Sequence, residues 1–141
     1  MNTPVTMHFT LEELYASATA KAKGINNKPN VQQTINLVYL TAYVLEPLRV
    51  AMNEPIPISS GFRCERLNRA VGGVSNSQHT KGQAADCGCD DPLALARLLL
   101  DLGLEFDQAI VYPTFLHISH KADGENRNQL LYNKSYTGQR L

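Results

Sequence analysis

The spacing of apolar residues predicts three helices. From position 31 to position 45 they recur at steps of three and four, which is typical of a core helix with one buried face. That helix should begin at an Asn30 cap and bend or break near Pro47. A capping-box pattern predicts a first helix over about residues 10–22, and a leucine-rich segment after Asp91 predicts the third.

Shorter β-rich runs, each bounded by glycine, proline or polar residues, predict a sheet. The candidate strands occupy about residues 55–61, 84–89, 107–112, 115–120 and 128–132. Between the first two, residues 64–73 predict a short helix or turn, and residues 72–83 predict a polar loop. Helices and strands in this order predict an α+β fold, in which helices flank a small antiparallel sheet.

Length and charge narrow the classes of function. The 141 residues suit one domain, spanning 1–141, large enough to bury about two thirds of its unfolded surface. Thirteen basic and thirteen acidic side chains cancel, so the chain lacks the field that attracts nucleic acid or anionic membranes. The sequence contains no stretch of about 18 apolar residues and no signal-peptide pattern. We therefore expect no nucleic-acid partner, no membrane insertion, and synthesis in the cytoplasm.

Three cysteines form an odd and sparse set. Cys64, Cys87 and Cys89 suit a reducing compartment better than a disulfide framework. On a strand, Cys87 and Cys89 would face the same side, most simply as small buried apolar side chains. The alternative is a soft metal site that these two thiols form with His79.

A histidine and an aspartate form the first part of a candidate metal site. His79 and Asp86 are seven positions apart, and a fully extended chain would separate them by about 23 Å at about 3.3 Å per residue. They can share a ligand only if the chain reverses between them. Gly82 permits such a reversal because glycine tolerates positive φ. The small side chains of Ala84 and Ala85 leave room for the carboxylate to approach His79.

His117 is the best candidate for a third ligand. Alternation along the strand "FLHIS" puts Phe115, His117 and Ser119 on one face and Leu116, Ile118 and His120 on the other. If this strand lies beside the one that carries Asp86, His117 comes close to the carboxylate. Two neutral imidazoles and one carboxylate suit zinc and leave a fourth position for water. Alternatively, His117 is a packed, hydrogen-bonded histidine and Asp86 caps a turn.

The same residues resemble a known family. "ISSGFR", "SQHTKGQAAD" and, some thirty residues later, "FLHIS" are similar to the zinc D-Ala-D-Ala carboxypeptidase family of peptidoglycan peptidases, in particular its compact bacterial and phage branch. The likeness extends over about residues 8–120. It implies that His79, Asp86 and His117 bind zinc and that Arg63 binds substrate and helps to polarise the scissile carbonyl. It also implies the fold that these enzymes share with the hedgehog signalling domain, a small antiparallel sheet flanked by helices.

The general base is where this sequence departs from the family. Relatives usually place a Glu or Asp a few residues before the last histidine ligand, but "VYPTFLH" has no acid in the six residues before His117. Asp107 is our first candidate for this base, and Tyr112 or His120 could substitute for it. Alternatively, Asp107 caps a turn or orients a ligand histidine. The substrate-binding residues that the resemblance implies besides Arg63 are Ser77, Gln78, Ser119 and His120.

These observations lead to two hypotheses of function. The first is a zinc peptidase that hydrolyses amide bonds of peptidoglycan stem or cross-bridge peptides, of the D-Ala-D-Ala carboxypeptidase or endopeptidase type. A phage-type lysin, made in the cytoplasm and released to the cell wall, fits the absence of a signal-peptide pattern. The second hypothesis follows from the missing acid. It is a zinc-stabilised module of little or no activity that binds peptidoglycan or a protein partner.

Overall fold

Helices and strands follow one another in the order that the sequence predicts. A computed structural model describes residues 2–141. Its helices are α1 (Leu11–Tyr15), α2 (Ala18–Lys23), α3 (Val31–Leu40), α4 (Glu46–Met52), α5 (Glu65–Ala70) and α6 (Pro92–Asp101), with a π-helical turn over Thr41–Leu45 and a 3-10 turn over Gln78–Lys81. Its strands are β1 (Ile58–Ser60), β2 (Ala84–Gly88), β3 (Gln108–Val111), β4 (Phe115–Ser119) and β5 (Gln129–Tyr132). The prediction of an α+β fold is confirmed.

The five strands form one sheet in the order β1-β2-β4-β3-β5. Strands β2 and β4 are antiparallel, with Asp86 opposite His117. Strands β4 and β3 are also antiparallel, with His117 opposite Ile110. Residues that lie opposite each other in neighbouring strands point to the same face, so these three residues form one row across the sheet.

The sheet departs from the expected antiparallel arrangement at one edge. β5 pairs with β3 in parallel, with Gln108 opposite Gln129, whereas the other three pairings are antiparallel. Strand β4 ends beside the start of β3, and the connection to β5 begins at that same end of the sheet. Because β2 already occupies the other edge of β4, the returning chain pairs with the free edge of β3 and runs in the same direction as β3.

One face of the sheet is buried against the helices. The strand residues on this face are Ala85, Cys87, Ala109, Val111, Leu116 and Ile118, all fully buried. They pack in one core with apolar residues of α3, α4 and α6, among them Leu37, Leu40, Leu48, Leu95 and Leu99. A slip of one residue in the pairing would turn Asp86 and His117 into this core. Burial of the apolar face therefore fixes the strand register, and with it the residues that lie on the opposite face.

The first predicted helix is two helices. Its break is capped by Ser17, whose Oγ accepts a hydrogen bond from the backbone N–H of Ala20 (3.1 Å). The carbonyl oxygen of Leu14 accepts a hydrogen bond from the backbone N–H of Phe62 (2.7 Å). The prediction of a continuous helix over residues 10–22 is therefore wrong, because a local cap and a long-range hydrogen bond interrupt it.

The predicted long helix bends instead of breaking. α3 begins at Asn30, whose side chain accepts a hydrogen bond from the N–H of Gln33 (2.8 Å), as the pattern predicts. The π-helical turn joins α3 directly to α4, and Pro47 lies in the first turn of α4. Proline has no N–H to offer the preceding turn, and a widened turn at this point accommodates its ring. Across residues 2–141 no helix has the length and apolar character needed to cross a membrane.

Candidate metal centre and cleft

His79 lies on a short turn whose backbone is capped at both ends. The Oγ of Ser77 accepts a hydrogen bond from the backbone N–H of His79 (3.2 Å). At the other end, Gly82 adopts a left-handed conformation (φ +74°) and donates its N–H back into the turn. This is the reversal that the sequence predicts between His79 and Asp86, and it leaves the His79 side chain almost completely buried.

Helix α3 holds this turn from outside. The Nδ2–H of Asn36 donates to the carbonyl oxygen of Lys81 (2.9 Å), and the Nε2–H of Gln33 donates to that of Thr80 (3.3 Å). The turn approaches the helix so closely that a Cβ on Gly82 would lie 2.4 Å from the backbone oxygen of Gln33. The position of His79 is therefore set by a helix far from it in the sequence.

The three candidate ligands converge in the structure. The Oδ1 atom of Asp86 lies 2.9 Å from Nδ1 of His117 and 3.2 Å from Nε2 of His79. One ligand atom from each residue lies within 4.8 Å of the others, and the two imidazole centroids are 5.0 Å apart. Among residues 2–141 this is the group of His, Cys, Asp and Glu side chains whose spacing could hold a metal ion.

The donor set fits a divalent cation such as zinc. The Nδ1–H of His79 donates to the carbonyl oxygen of Gly61 (2.7 Å), which fixes the ring and presents Nε2 to the site. Burial opposes the charge of Asp86, but its contacts with His117 and His79 hold the pKa of this carboxyl well below its usual range. An ionised carboxylate and two imidazoles are ligands that zinc prefers.

Arg63 is anchored beside these ligands. Its backbone N–H donates to the carbonyl oxygen of His79 (3.0 Å), and its Nη2 donates to the Oγ of Ser77 (3.4 Å). Burial lowers the pKa of the half-buried guanidinium, while the nearby Asp86 and Tyr112 oppose that shift, and an arginine remains charged under all these influences. Its Nε is buried and has no hydrogen-bond acceptor within residues 2–141. A buried polar atom without a partner requires a physical explanation, and a bound ligand is one such explanation.

A cleft of about 610 Å³ opens over the three candidate ligands. One wall comes from the segment before the His79 turn, and includes Val74, Asn76, Ser77 and Gln78. The opposite wall comes from the sheet and its last connection, and includes Gln108, Ile110, Tyr112, Phe115 and Arg127. Among the described lining residues, Asp86 is the only carboxylate.

Asp107, the first candidate for the general base, lies behind the cleft wall. Its fully buried carboxylate accepts hydrogen bonds from Nε (2.9 Å) and Nη2 (2.7 Å) of Arg127. The carboxylate also accepts hydrogen bonds from the backbone N–H of Arg127 (3.1 Å) and from Nε2 of Gln78 (3.1 Å). Hydrogen bonds from Arg127 outweigh burial and hold the pKa of Asp107 well below its usual range. These contacts favour the alternative role, in which Asp107 orients other residues, and its role as a base stays a prediction.

Two of the residues expected in the cleft lie elsewhere. Ser119 is fully buried, and its Oγ accepts a hydrogen bond from the backbone N–H of Gln108 (3.0 Å). His120 is buried at 7% exposure, stacks on Tyr43 with ring centroids 5.9 Å apart, and borders a separate groove. Neither Ser119 nor His120 is among the residues that line the cleft, and their role in binding substrate stays a prediction. β4 ends at Ser119, whose hydroxyl completes the pairing with β3, and the next residue turns away from the cleft.

The cysteines do not join the candidate ligands. Cys87 lies in the core, on the face of the sheet opposite Asp86, and all three cysteines are free. Burial raises the pKa of the Cys87 thiol well above its usual range and that of Cys89 to about 11. The hypothesis of a soft metal site with His79 is wrong because adjacent strand positions point to opposite faces.

The sequence analysis missed Arg127. Its segment, "KADGEN" and the residues after it, has the composition of a charged hairpin turn, and nothing in that local pattern indicates a cleft. Arg127 reaches the cleft because β5, which follows it, pairs with β3 instead of forming a hairpin with β4. The one available signal was the position of Asp107 at the start of a β-rich run, because a carboxylate that becomes buried there requires a cationic partner.

A family model matches most of the residues that line the cleft, but not Arg127. A model of the family described as Peptidase M15 matches residues 7–119. Over 91 residues, 62% of this chain, the sequence is 36% identical to the zinc D-Ala-D-Ala carboxypeptidase of Streptomyces albus G. That stretch covers 36% of the relative, so the chain corresponds to little more than a third of the relative's length.

Proposed function

This chain belongs to the peptidase M15 family, and from that we propose that it is a zinc-dependent peptidase that hydrolyses amide bonds of peptidoglycan peptides. The observation that carries the proposal is the convergence of His79, Asp86 and His117 at the floor of a cleft lined by Arg63. The relative from Streptomyces albus G is named for zinc and for a D-Ala-D-Ala substrate, which supports both the metal and the class of peptide.

The three converging side chains would hold the metal. When bound there, zinc supplies Lewis-acid activation of water and of an amide carbonyl. The chain contributes the rigidity that such a site requires. Gly61 fixes the ring of His79, and the pairing of β2 with β4 fixes Asp86 against His117.

Arg63 would position the substrate. A guanidinium beside the candidate ligands can form a two-point contact with a carboxylate, which fixes the register of a peptide more tightly than a lysine would. A carboxylate next to the scissile bond is the C terminus of a peptide that ends in D-Ala-D-Ala. We therefore favour carboxypeptidase action over cleavage of internal cross-bridges.

Proton transfer is the step for which the cleft offers the fewest groups. The phenol of Tyr112 lines the cleft and is held by stacking on Phe115, with ring centroids 4.2 Å apart. A phenol can donate a hydrogen bond to charge that develops on the carbonyl oxygen. Asp107 would have to give up its contacts with Arg127 before it could accept a proton from water.

One observation favours a second candidate function. Since Asp86 is the only carboxylate among the described lining residues, the cleft lacks a free acid of the kind that usually activates water. A module that holds zinc and binds stem peptides with little or no turnover would fit this composition. Binding and cleavage must therefore be measured on the same peptides.

The test is digestion of defined stem peptides by zinc-loaded protein, with product masses read by mass spectrometry. We expect release of the terminal D-Ala, loss of that activity in His79→Ala, and no loss in His8→Ala. The latter removes an imidazole whose Nδ1 contacts the carboxylate of Glu46 outside the cleft. Peptides that bind but stay intact would support the second candidate. If the peptides are not cleaved and do not bind, both candidates are refuted.

The proposed substrate also requires a route to the cell wall. Peptidoglycan lies outside the cytoplasmic membrane, so the enzyme must reach it by export or by release through a damaged membrane. We propose release in the manner of a phage-type lysin. Fractionation of cells that express the tagged chain tests this, and protein found in the wall fraction before any membrane damage would contradict it.

A further inference from the structure

Two arginines line the cleft, and the proposed function uses only one of them. Arg63 lies beside the candidate metal ligands, whereas Arg127 comes from the connection that precedes β5. Asp86 is the only carboxylate among the described lining residues, and it is already in contact with two imidazoles. Among the described lining residues, the two guanidiniums therefore outnumber the single carboxylate.

Arg127 is held in a fixed orientation by a buried partner. Its Nε and Nη2 contact the two oxygens of Asp107 at 2.9 and 2.7 Å, and its backbone N–H also donates to that carboxylate (3.1 Å). Asp107 is fully buried, but the Arg127 side chain is 51% exposed. This contact uses one edge of the guanidinium and leaves the donors of Nη1 for another acceptor.

Asp107 also lies close to a second cation. Nζ of Lys121 lies 3.8 Å from Oδ1 of the same carboxylate, so two cations share one anion. Gln78 donates to Asp107 as well (3.1 Å), and Gln78 immediately precedes the ligand His79. Through this carboxylate, Arg127 is fixed in relation to the turn that carries the candidate metal ligand.

We infer that Arg127 is a second anion-binding position of the cleft, which selects peptides with a carboxylate in addition to the one that Arg63 binds. The inference rests on the proposed function and specifies its substrate. Stem peptides of peptidoglycan are acidic, because a D-glutamyl residue and, in many walls, a diaminopimelyl residue carry carboxylates along the chain. A guanidinium already oriented by a buried partner loses little side-chain freedom on binding such a group.

The experiment compares stem peptides that differ only in one group. Each free carboxylate along the peptide, at the second and at the third residue, is replaced in turn by a carboxamide, and KM, kcat and equilibrium binding are measured. We expect one of the two replacements to weaken binding by about tenfold or more, mainly in KM, because a charge-assisted hydrogen bond is lost. The residue whose replacement weakens binding is the one that supplies the carboxylate to Arg127.

Three variants separate direct contact from an effect through Asp107. Arg127→Gln should bind the acid and the amide equally, and Arg127→Lys should keep part of the preference. Lys121→Gln, which removes the other cation near Asp107 but borders a different groove, should keep all of it. Thermal melting and zinc content establish that each variant is folded.

The outcomes distinguish this inference from the proposed function. Equal binding of acid and amide by the wild type overturns the role of Arg127, as does a preference that survives in Arg127→Gln or disappears equally in Lys121→Gln. Peptides that bind with the expected preference but are not cleaved refute the peptidase and leave the anion-binding position supported.

Discussion

Replacing Gly82 with alanine tests how the fold positions His79. Two separate costs are expected at this position. The backbone has φ +74°, a conformation that costs an L-residue about 1–2 kcal/mol. In addition, the new Cβ would lie 2.4 Å from the backbone oxygen of Gln33, and α3 is packed in the core and cannot easily move away. Overpacking of this kind costs about 1–3 kcal/mol.

The matched control is Gly24→Ala. Gly24 also ends a helix in the left-handed conformation (φ +65°), but its Cβ would meet nothing within 4 Å. Urea unfolding of the metal-free proteins should show a loss of about 1–2 kcal/mol for Gly24→Ala and about 2–5 kcal/mol for Gly82→Ala. The difference between the two variants measures the contact with Gln33.

Zinc affinity provides the second measurement. Because Gly82 closes the turn that carries His79, relief of the clash must displace this ligand, and we expect zinc to bind about 10–100-fold more weakly to Gly82→Ala. Gly24→Ala should bind zinc as the wild type does. Equal destabilisation by the two variants, or unchanged zinc affinity in Gly82→Ala, would show that the close approach of turn and helix does not position the ligand.

Three further predictions follow from individual contacts. Asp86→Asn should weaken zinc binding more than about 100-fold, whereas Cys89→Ser should leave the zinc content after dialysis unchanged, since Cys89 lies outside the ligand group. Asp107→Asn should reduce the free energy of unfolding at neutral pH by about 1–3 kcal/mol, because the half-exposed Arg127 loses its partner. The lowered pKa of Asp107 means that its contribution is present above about pH 4 and is lost as the pH falls below that value, so the variant should lose less stability on acidification than the wild type. Asn27→Ala should lower the unfolding free energy by about 2–3 kcal/mol in urea titrations, because the buried Asn27 bonds to three backbone groups, two of which flank Arg63. A loss no larger than that of a typical surface substitution would refute this last prediction.

Local signals in the sequence were sufficient to predict the structure wherever a few neighbouring residues fix the backbone conformation. The Asn30 cap, the turn at Gly82 and the alternation around His117 all act within one turn or one strand, and the structure contains each of them. Strand limits agree with the predictions to within a few residues for the same reason. The break at Ser17 was missed because a capping box further upstream matches one longer helix equally well.

The candidate site likewise has a part that local signals predict and a part that they do not. The motif around His79 and Asp86 is local, and its second half pairs with the strand of His117 because each strand has one apolar face that must be buried. The partners of Asp107 could not be predicted in this way. They depend on which edge of β3 receives β5, and that choice follows from the occupied edge of β4.

The sequence by itself therefore determined most of the elements, the faces of the strands and the three side chains that can meet at a metal. Only the tertiary structure decided that Asp107 is an anchor for Arg127, that His120 belongs to another groove and that a second arginine enters the cleft. The physical reason is the distance along the sequence over which each interaction acts. Caps, turns and strand alternation act between neighbours in the chain, whereas a buried charge takes its partner from whatever segment the packing of the sheet brings beside it.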